Sequence, residues 1–64
     1  MTTYPYTFHR KSRVSGSAVP TGGATVEASS VEDATAQVRA MNWPDGTIMA
    51  TIDIAGDAEV LIQR

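Results

Sequence analysis

The sequence predicts an α+β fold, β-β-α-β-β, with a mainly antiparallel β-sheet and one helix packed on one face. Three observations carry this. Residues Tyr4 to Val14 alternate between two chemical faces. Ser30-Val31-Glu32-Asp33 opens a stretch whose apolar residues recur at spacings of three and four. Thr47 to Ala55 is a strand-like run followed, across Gly56-Asp57, by a second short strand.

In the first element Tyr4, Tyr6, Phe8, Ser12 and Val14 share one parity, and Thr7, His9, Lys11 and Arg13 the other. Period-two alternation with aromatics is the pattern of a half-buried strand. Pro5 cannot donate to a ladder, so the strand is expected to start after it or to leave that position free. Ser15 to Gly23 is rich in Gly, Ser, Pro and Thr and reads as a long, mobile loop. Ala24 to Ala28 is a second strand, with Ala24, Val26 and Ala28 inward.

Ser30 is the expected N-cap of a helix running roughly from Val31 to Met41. Asp33 stands where a capping box places its acceptor, and Glu32 and Asp33 suit the positive end of the helix dipole. Val31, Ala34, Val38 and Met41 form one apolar stripe. Pro44 and Asp45-Gly46 end the segment and turn the chain back. Trp43 either plugs the end of the core or stands out as a partner anchor; the first is the commoner role.

In the third strand Ile48, Ala50, Ile52 and Ile54 face one way, and Thr47, Met49, Thr51 and Asp53 the other. Ala58 to Gln63 is the fourth. A two-residue connection would set Ile54 beside Glu59. A three-residue connection pairs Ile54 with Ala58, Ile52 with Val60 and Ala50 with Ile62, which puts every inward residue on one face. A slip of one residue flips all side chains, so the three-residue register is expected.

The 64 residues make one small domain, 1–64. A chain of this size buries only about 60% of its unfolded surface, so its core is marginal. With no cysteine there is no disulfide and no thiolate metal site. No apolar run approaches the roughly 20 residues of a membrane span. Met1-Thr2-Thr3-Tyr4 lacks the basic-then-apolar order of a signal peptide. The expectation is a cytoplasmic protein. Charge is unevenly spread: residues 1–26 hold Arg10, Lys11 and Arg13 and no acid, whereas residues 27–64 hold all seven acids against Arg39 and Arg64. The net charge of −2 thus hides a basic first strand and an acidic remainder.

One helix of about three turns covers only one face of four strands. The uncovered face should carry Thr7, His9, Lys11, Arg13, Thr25, Glu27, Met49, Thr51, Asp53, Leu61 and Gln63. Met49 and Leu61 are apolar islands on it. It is either a solvated face or a partner-binding one.

Signals for chemistry are weak. His9 is the sole histidine, and no acid lies near it in sequence to orient it as a general base. No serine sits in a nucleophile-elbow pattern. Scattered carboxylates and His9 make a poor metal set. Gly22-Gly23 precedes a strand, not a helix, so it is no phosphate loop. The basic group His9, Arg10, Lys11 and Arg13 could meet phosphates, but alternation sends Arg10 to the face opposite Lys11 and Arg13. Charge on a strand also guards it against edge pairing. No enzyme activity, cofactor or metal is expected.

The segment Gly23-Ala24-Thr25-Val26-Glu27-Ala28, then Ser30-Val31 and Ala34, then Gly46-Thr47-Ile48-Met49, resembles a family of very small phage-borne anti-CRISPR proteins that act on type I-F surveillance complexes. The likeness runs from Gly23 to Ile52, about half the chain, with the helix and turn lengths kept. It implies a β-β-α-β sheet protein of phage or mobile-element origin. Such a protein binds the backbone subunits of the CRISPR-RNA-guided complex in the host cell and blocks target DNA by occupying its channel. Some members are basic enough to touch DNA. The family's basic helix positions are Thr35 and Ala36 here, and the helix carries only Arg39, so no helix contact residue carries over.

The expected contact residues are therefore His9, Arg10, Lys11, Arg13, Arg39, Met49 and Leu61. Two other functions compete with an inhibitor of CRISPR-Cas defence. One is a homo-oligomeric structural or accessory interaction module, favoured by the marginal core. The other is a weak nucleic-acid binder.

Overall fold

The computed structural model describes residues 1–54 and 58–63. Its elements are β1 (Thr2–Lys11), β2 (Ala18–Ala28), α1 (Val31–Ala40), β3 (Thr47–Asp53) and β4 (Glu59–Gln63). The strands form one antiparallel sheet in the order β2-β1-β3-β4. Both β2 and β3 run antiparallel to β1, so they are parallel to each other with β1 between them. A parallel return needs a crossover, and α1 supplies it, packed on one face. This is the β-β-α-β-β order that the sequence predicts.

Two bounds differ from expectation. β1 begins at Thr2 and ends at Lys11, so Pro5 lies inside it and Arg13 and Val14 lie beyond it. Pro5 is tolerated because the β1–β3 register ends at Tyr6↔Ile52; on that side of β1, Pro5 has no ladder partner to lose. The chain then turns at residues 12–17, tied by Ser12 N–H to the Ser17 carbonyl at 2.8 Å.

The expected loop Ser15–Gly23 is mostly strand. β2 starts at Ala18 and pairs with β1 along its length. A bulge accommodates the loop-like composition: Phe8 pairs with Gly22 and His9 with Pro20, leaving Thr21 over. The Thr21 hydroxyl donates to the Phe8 carbonyl at 3.4 Å. Gly23 has a distinct role, since a Cβ there would stand 2.1 Å from the Tyr6 carbonyl oxygen. Gly22 meets no such obstacle.

Ser30 caps α1: its Oγ accepts from Asp33 N–H at 3.1 Å. Asp33 Oδ2 reaches back to the N–H of Ser29, one residue before the cap, at 3.2 Å. Gln37 ties the helix to the sheet by donating to the Glu27 carbonyl at 2.9 Å. At the other end the Trp43 indole donates to the Val38 carbonyl at 2.8 Å. Trp43 is buried against Phe8, so its role is to close the core, not to anchor a partner. Pro44 and Thr47 then close a turn, with Thr47 N–H donating to the Pro44 carbonyl and Gly46 at φ 86°, a conformation that favours glycine.

The core is Phe8, Val26, Ala28, Ala34, Val38, Trp43, Ala50, Ile52 and Ile62, with Tyr4, Tyr6, Met41 and Val60 at its margin. Fully buried alanines on β2, α1 and β3 let the helix lie close to the sheet. Ala24 shares the parity of Val26 yet is exposed, because the core does not extend over it. Ile48, expected inward, is 45% exposed. A second bulge is the cause: His9 pairs with Met49 but Arg10 with Thr47, so Ile48 has no partner and Thr47 is buried instead.

The β3–β4 register follows the three-residue expectation: Ala50↔Ile62, Ile52↔Val60, and Ile54 N–H to the Ala58 carbonyl at 2.9 Å. The connection through Gly56-Asp57 lies outside the described residues.

Candidate functional site

With α1 on one side, the opposite face of the sheet has no covering element among the described residues. Residues paired across strands project from the same side, so the register maps this face directly. Thr7, Thr51 and Leu61 form a central row, and His9, Met49 and Gln63 form the next. Toward the start of β1 lie Thr3 beside Glu27, Pro5 beside Thr25, and Asp53 beside Glu59. Toward its end Lys11 lies beside Ala18.

The face is charged in opposite senses at its two ends. Glu27, Asp53 and Glu59 gather at one; Lys11, with half-buried His9, stands at the other. Asp53 and Glu59 are directly opposite each other, an arrangement that disfavours the folded state slightly by like-charge repulsion. Half-buried Met49 lies beside His9, and Leu61, 54% exposed, lies between the two ends.

At the centre the face is more ordered than its composition suggests. Thr51 is buried on this otherwise open side, and its Oγ1 lies 3.1 Å from His9 Nε2. The two residues are diagonal neighbours on adjacent strands, since His9 pairs with Met49, two positions from Thr51. The bond ties the half-buried imidazole to the sheet.

Of the expected contact residues, the structure brings His9, Lys11, Met49 and Leu61 together on this face. Arg13 lies in the turn past the end of β1, so the expectation that it shares a strand face with Lys11 is corrected. Arg10 pairs with Val19 and Thr47 on the helix side of the sheet. Arg39 is exposed in the last turn of α1, where a cation complements the helix dipole. These two cannot join the open face in one flat contact.

Glu59 was not among the residues expected on the face. The signal was present: the register that pairs Ile52 with Val60 also pairs Asp53 with Glu59. The His9–Thr51 bond needs the β1–β3 register, for which no short-range signal exists.

The described residues enclose no cavity, and no three of their His, Asp and Glu side chains are grouped to hold a metal ion. No helix among them is long and apolar enough to cross a membrane. Comparison with protein-family models, with curated proteins and with solved structures gives no match to this chain.

Proposed function

We propose that this chain is a small non-enzymatic binding module that docks a protein partner on its open sheet face. The observation that carries the reading is the layout of that face. A histidine bonded to the sheet, Met49 beside it and a lysine stand at one end, three carboxylates at the other, and Leu61 between them. A solvated face needs no such order, whereas opposite charge at two ends fixes the orientation of a bound partner and steers its approach.

The resemblance of Gly23 to Ile52 to phage-borne anti-CRISPR proteins supplies the partner. In this reading the protein acts in the host cytoplasm as a stoichiometric inhibitor of CRISPR-Cas defence. It binds the backbone subunits of a type I surveillance complex and blocks access of target DNA. Lys11, with Arg13 in the turn that follows, makes the charged contact; His9, Met49 and Leu61 make the rest. It uses no cofactor and performs no chemistry.

The test is calorimetric titration of a purified type I-F surveillance complex with the wild type and with the Lys11→Glu, Arg13→Glu double variant. Wild-type binding in stoichiometric amounts, weakened about tenfold or more by the reversal, is expected. No binding by the wild type overturns the partner. Unchanged affinity in a folded double variant overturns the assignment of the basic end.

A further inference from the structure

The two outer edges of the sheet are built differently. The β2 edge carries Pro20, the Thr21 bulge and Gly22-Gly23, all devices that spoil a template for another strand. The β4 edge, Glu59-Val60-Leu61-Ile62-Gln63, has no proline, no glycine, no lysine and no bulge in its register with β3.

The phase of the β3–β4 ladder says which groups on that edge are free. Ile54 N–H donates to the Ala58 carbonyl, so Ile54 and Ala58 form a hydrogen-bonded pair. Such pairs recur every second residue in an antiparallel ladder. Ile52↔Val60 and Ala50↔Ile62 are therefore also of that kind, and the backbone groups of Val60 and Ile62 point at β3. Those of Glu59, Leu61 and Gln63 point outward.

We propose that this edge pairs with the same edge of a second copy of the chain, antiparallel, about a two-fold axis at Leu61. The register is self-consistent. Leu61 faces Leu61 of the second copy, and Glu59 faces Gln63, so every outward N–H and C=O of the strand meets another outward group. Centring the axis on Val60 or Ile62 would still oppose outward groups, Glu59 to Leu61 or Leu61 to Gln63, but would overlap only three residues of each strand in place of five. Centring it on Glu59 would place that carboxylate on itself and shorten the overlap.

The side chains agree with the backbone. Glu59 meets an amide that donates to it, and Leu61, 54% exposed in the single chain, packs on its own copy. On the helix side half-buried Val60 lies opposite Ile62, which is already fully buried in the single chain, so the side-chain contact of the pairing rests on the Leu61 face. The result is an eight-stranded sheet with both helices on one side and both open faces on the other. This interface lies at the edge and shares Leu61 with the proposed partner contact, but it leaves His9, Lys11 and Met49 accessible and sets two such surfaces side by side.

A contact of five residues per strand falls short of the roughly 1,200 Å² of a standard interface, so association should depend on concentration. Sedimentation equilibrium from about 10 μM to about 1 mM should show a monomer–dimer equilibrium. Leu61→Pro removes one outward N–H from each copy and none from the β3 ladder. It should raise the dimer dissociation constant about tenfold or more. Leu61→Cys gives an independent reading in a chain without cysteine. Cα atoms of a hydrogen-bonded antiparallel pair lie about 5.5 Å apart, within disulfide range, so oxidation should give covalent dimer. Thr21→Cys on the β2 edge should give little. A strict monomer at about 1 mM overturns the proposal. So does a folded Leu61→Pro variant that associates as the wild type does, or cross-linking as efficient at position 21 as at 61. If Leu61→Pro loses its circular-dichroism signature, the cross-linking pair decides.

Discussion

The Trp43 indole N–H donates to the Val38 carbonyl at 2.8 Å, and both side chains are buried. The last carbonyls of a helix have no intrahelical partner. Here one of them is met by a side chain that also fills the end of the core against Phe8, ring centroids 5.6 Å apart. A single residue thus caps the helix and packs it.

That double role predicts the effect of Trp43→Phe. The phenyl ring keeps most of the contact with Phe8 but loses the donor. The Val38 carbonyl still accepts from Met41 N–H at 3.2 Å, so it is weakened and not stranded. The expected loss is about 1–2 kcal/mol, against about 3–5 for Trp43→Ala, which also leaves a cavity. Urea unfolding followed by circular dichroism measures both. Equal losses would mean that packing against Phe8 adds nothing beyond the donor, and no loss in Trp43→Phe would mean that the hydrogen bond adds nothing to packing.

Gly22 and Gly23 are adjacent and of like composition, yet their substitutions should act in opposite directions. At Gly23 a Cβ meets the Tyr6 carbonyl oxygen and the Thr7 Cα, both backbone, so β1 and β2 must move apart. Gly23→Ala should cost about 1–3 kcal/mol, in the manner of overpacking. At Gly22 nothing lies within 4 Å, and alanine restricts the unfolded chain. Gly22→Ala should be neutral or stabilise by up to about 1 kcal/mol. Thermal melts of the pair decide it, and a tolerated Gly23→Ala would contradict the close approach of the strands.

These glycines also show where the sequence was legible and where it was not. The helix cap at Ser30, the apolar stripe, and the β3–β4 register could be read because each depends on residues a few positions apart. The N-terminal half of β2 could not. Gly, Pro and Thr in the stretch from Ala18 to Gly23 carry turn propensity. Only pairing with β1 overrides it, and the Thr21 bulge is what makes the pairing tolerable. Ile48 was misplaced for the same reason: alternation puts it with Ala50 and Ile52, and the bulge opposite His9 and Arg10 is a long-range event. On the candidate site, parity sufficed to put His9, Lys11, Met49 and Leu61 together. It could not show that Thr51 is buried beneath His9, because that needs the order of strands across the sheet.

Ser30→Ala tests the helix start. It removes the acceptor for Asp33 N–H and should cost about 1 kcal/mol. Ser30→Asp, which keeps an acceptor and adds negative charge at the N-terminus, should hold or exceed wild-type stability. Asp33 Oδ2 bonds to Ser29 N–H, not to that of the cap residue, so this bond should survive Ser30→Ala. A loss well above 2 kcal/mol would show that the helix start collapses as a unit.

Leu61 and Ile62 are neighbours on β4 and should separate stability from binding. Ile62 is fully buried and pairs with Ala50 under the helix. Ile62→Ala removes core methylenes and leaves a cavity that its strand partner, Ala50, is too short to fill. The expected loss is about 2–5 kcal/mol, a large part of what a 64-residue domain has. Leu61 is more than half exposed on the other face, so Leu61→Ala should cost under about 1 kcal/mol. Its cost should appear in association instead, as a weaker self-pairing at the β4 edge and a weaker hold on any partner of the open face. Chemical denaturation of the two variants, followed by sedimentation of Leu61→Ala at high concentration, measures the split. A Leu61→Ala variant as unstable as Ile62→Ala would mean that the open face is covered in the isolated chain, and the residue would lose its place as a contact.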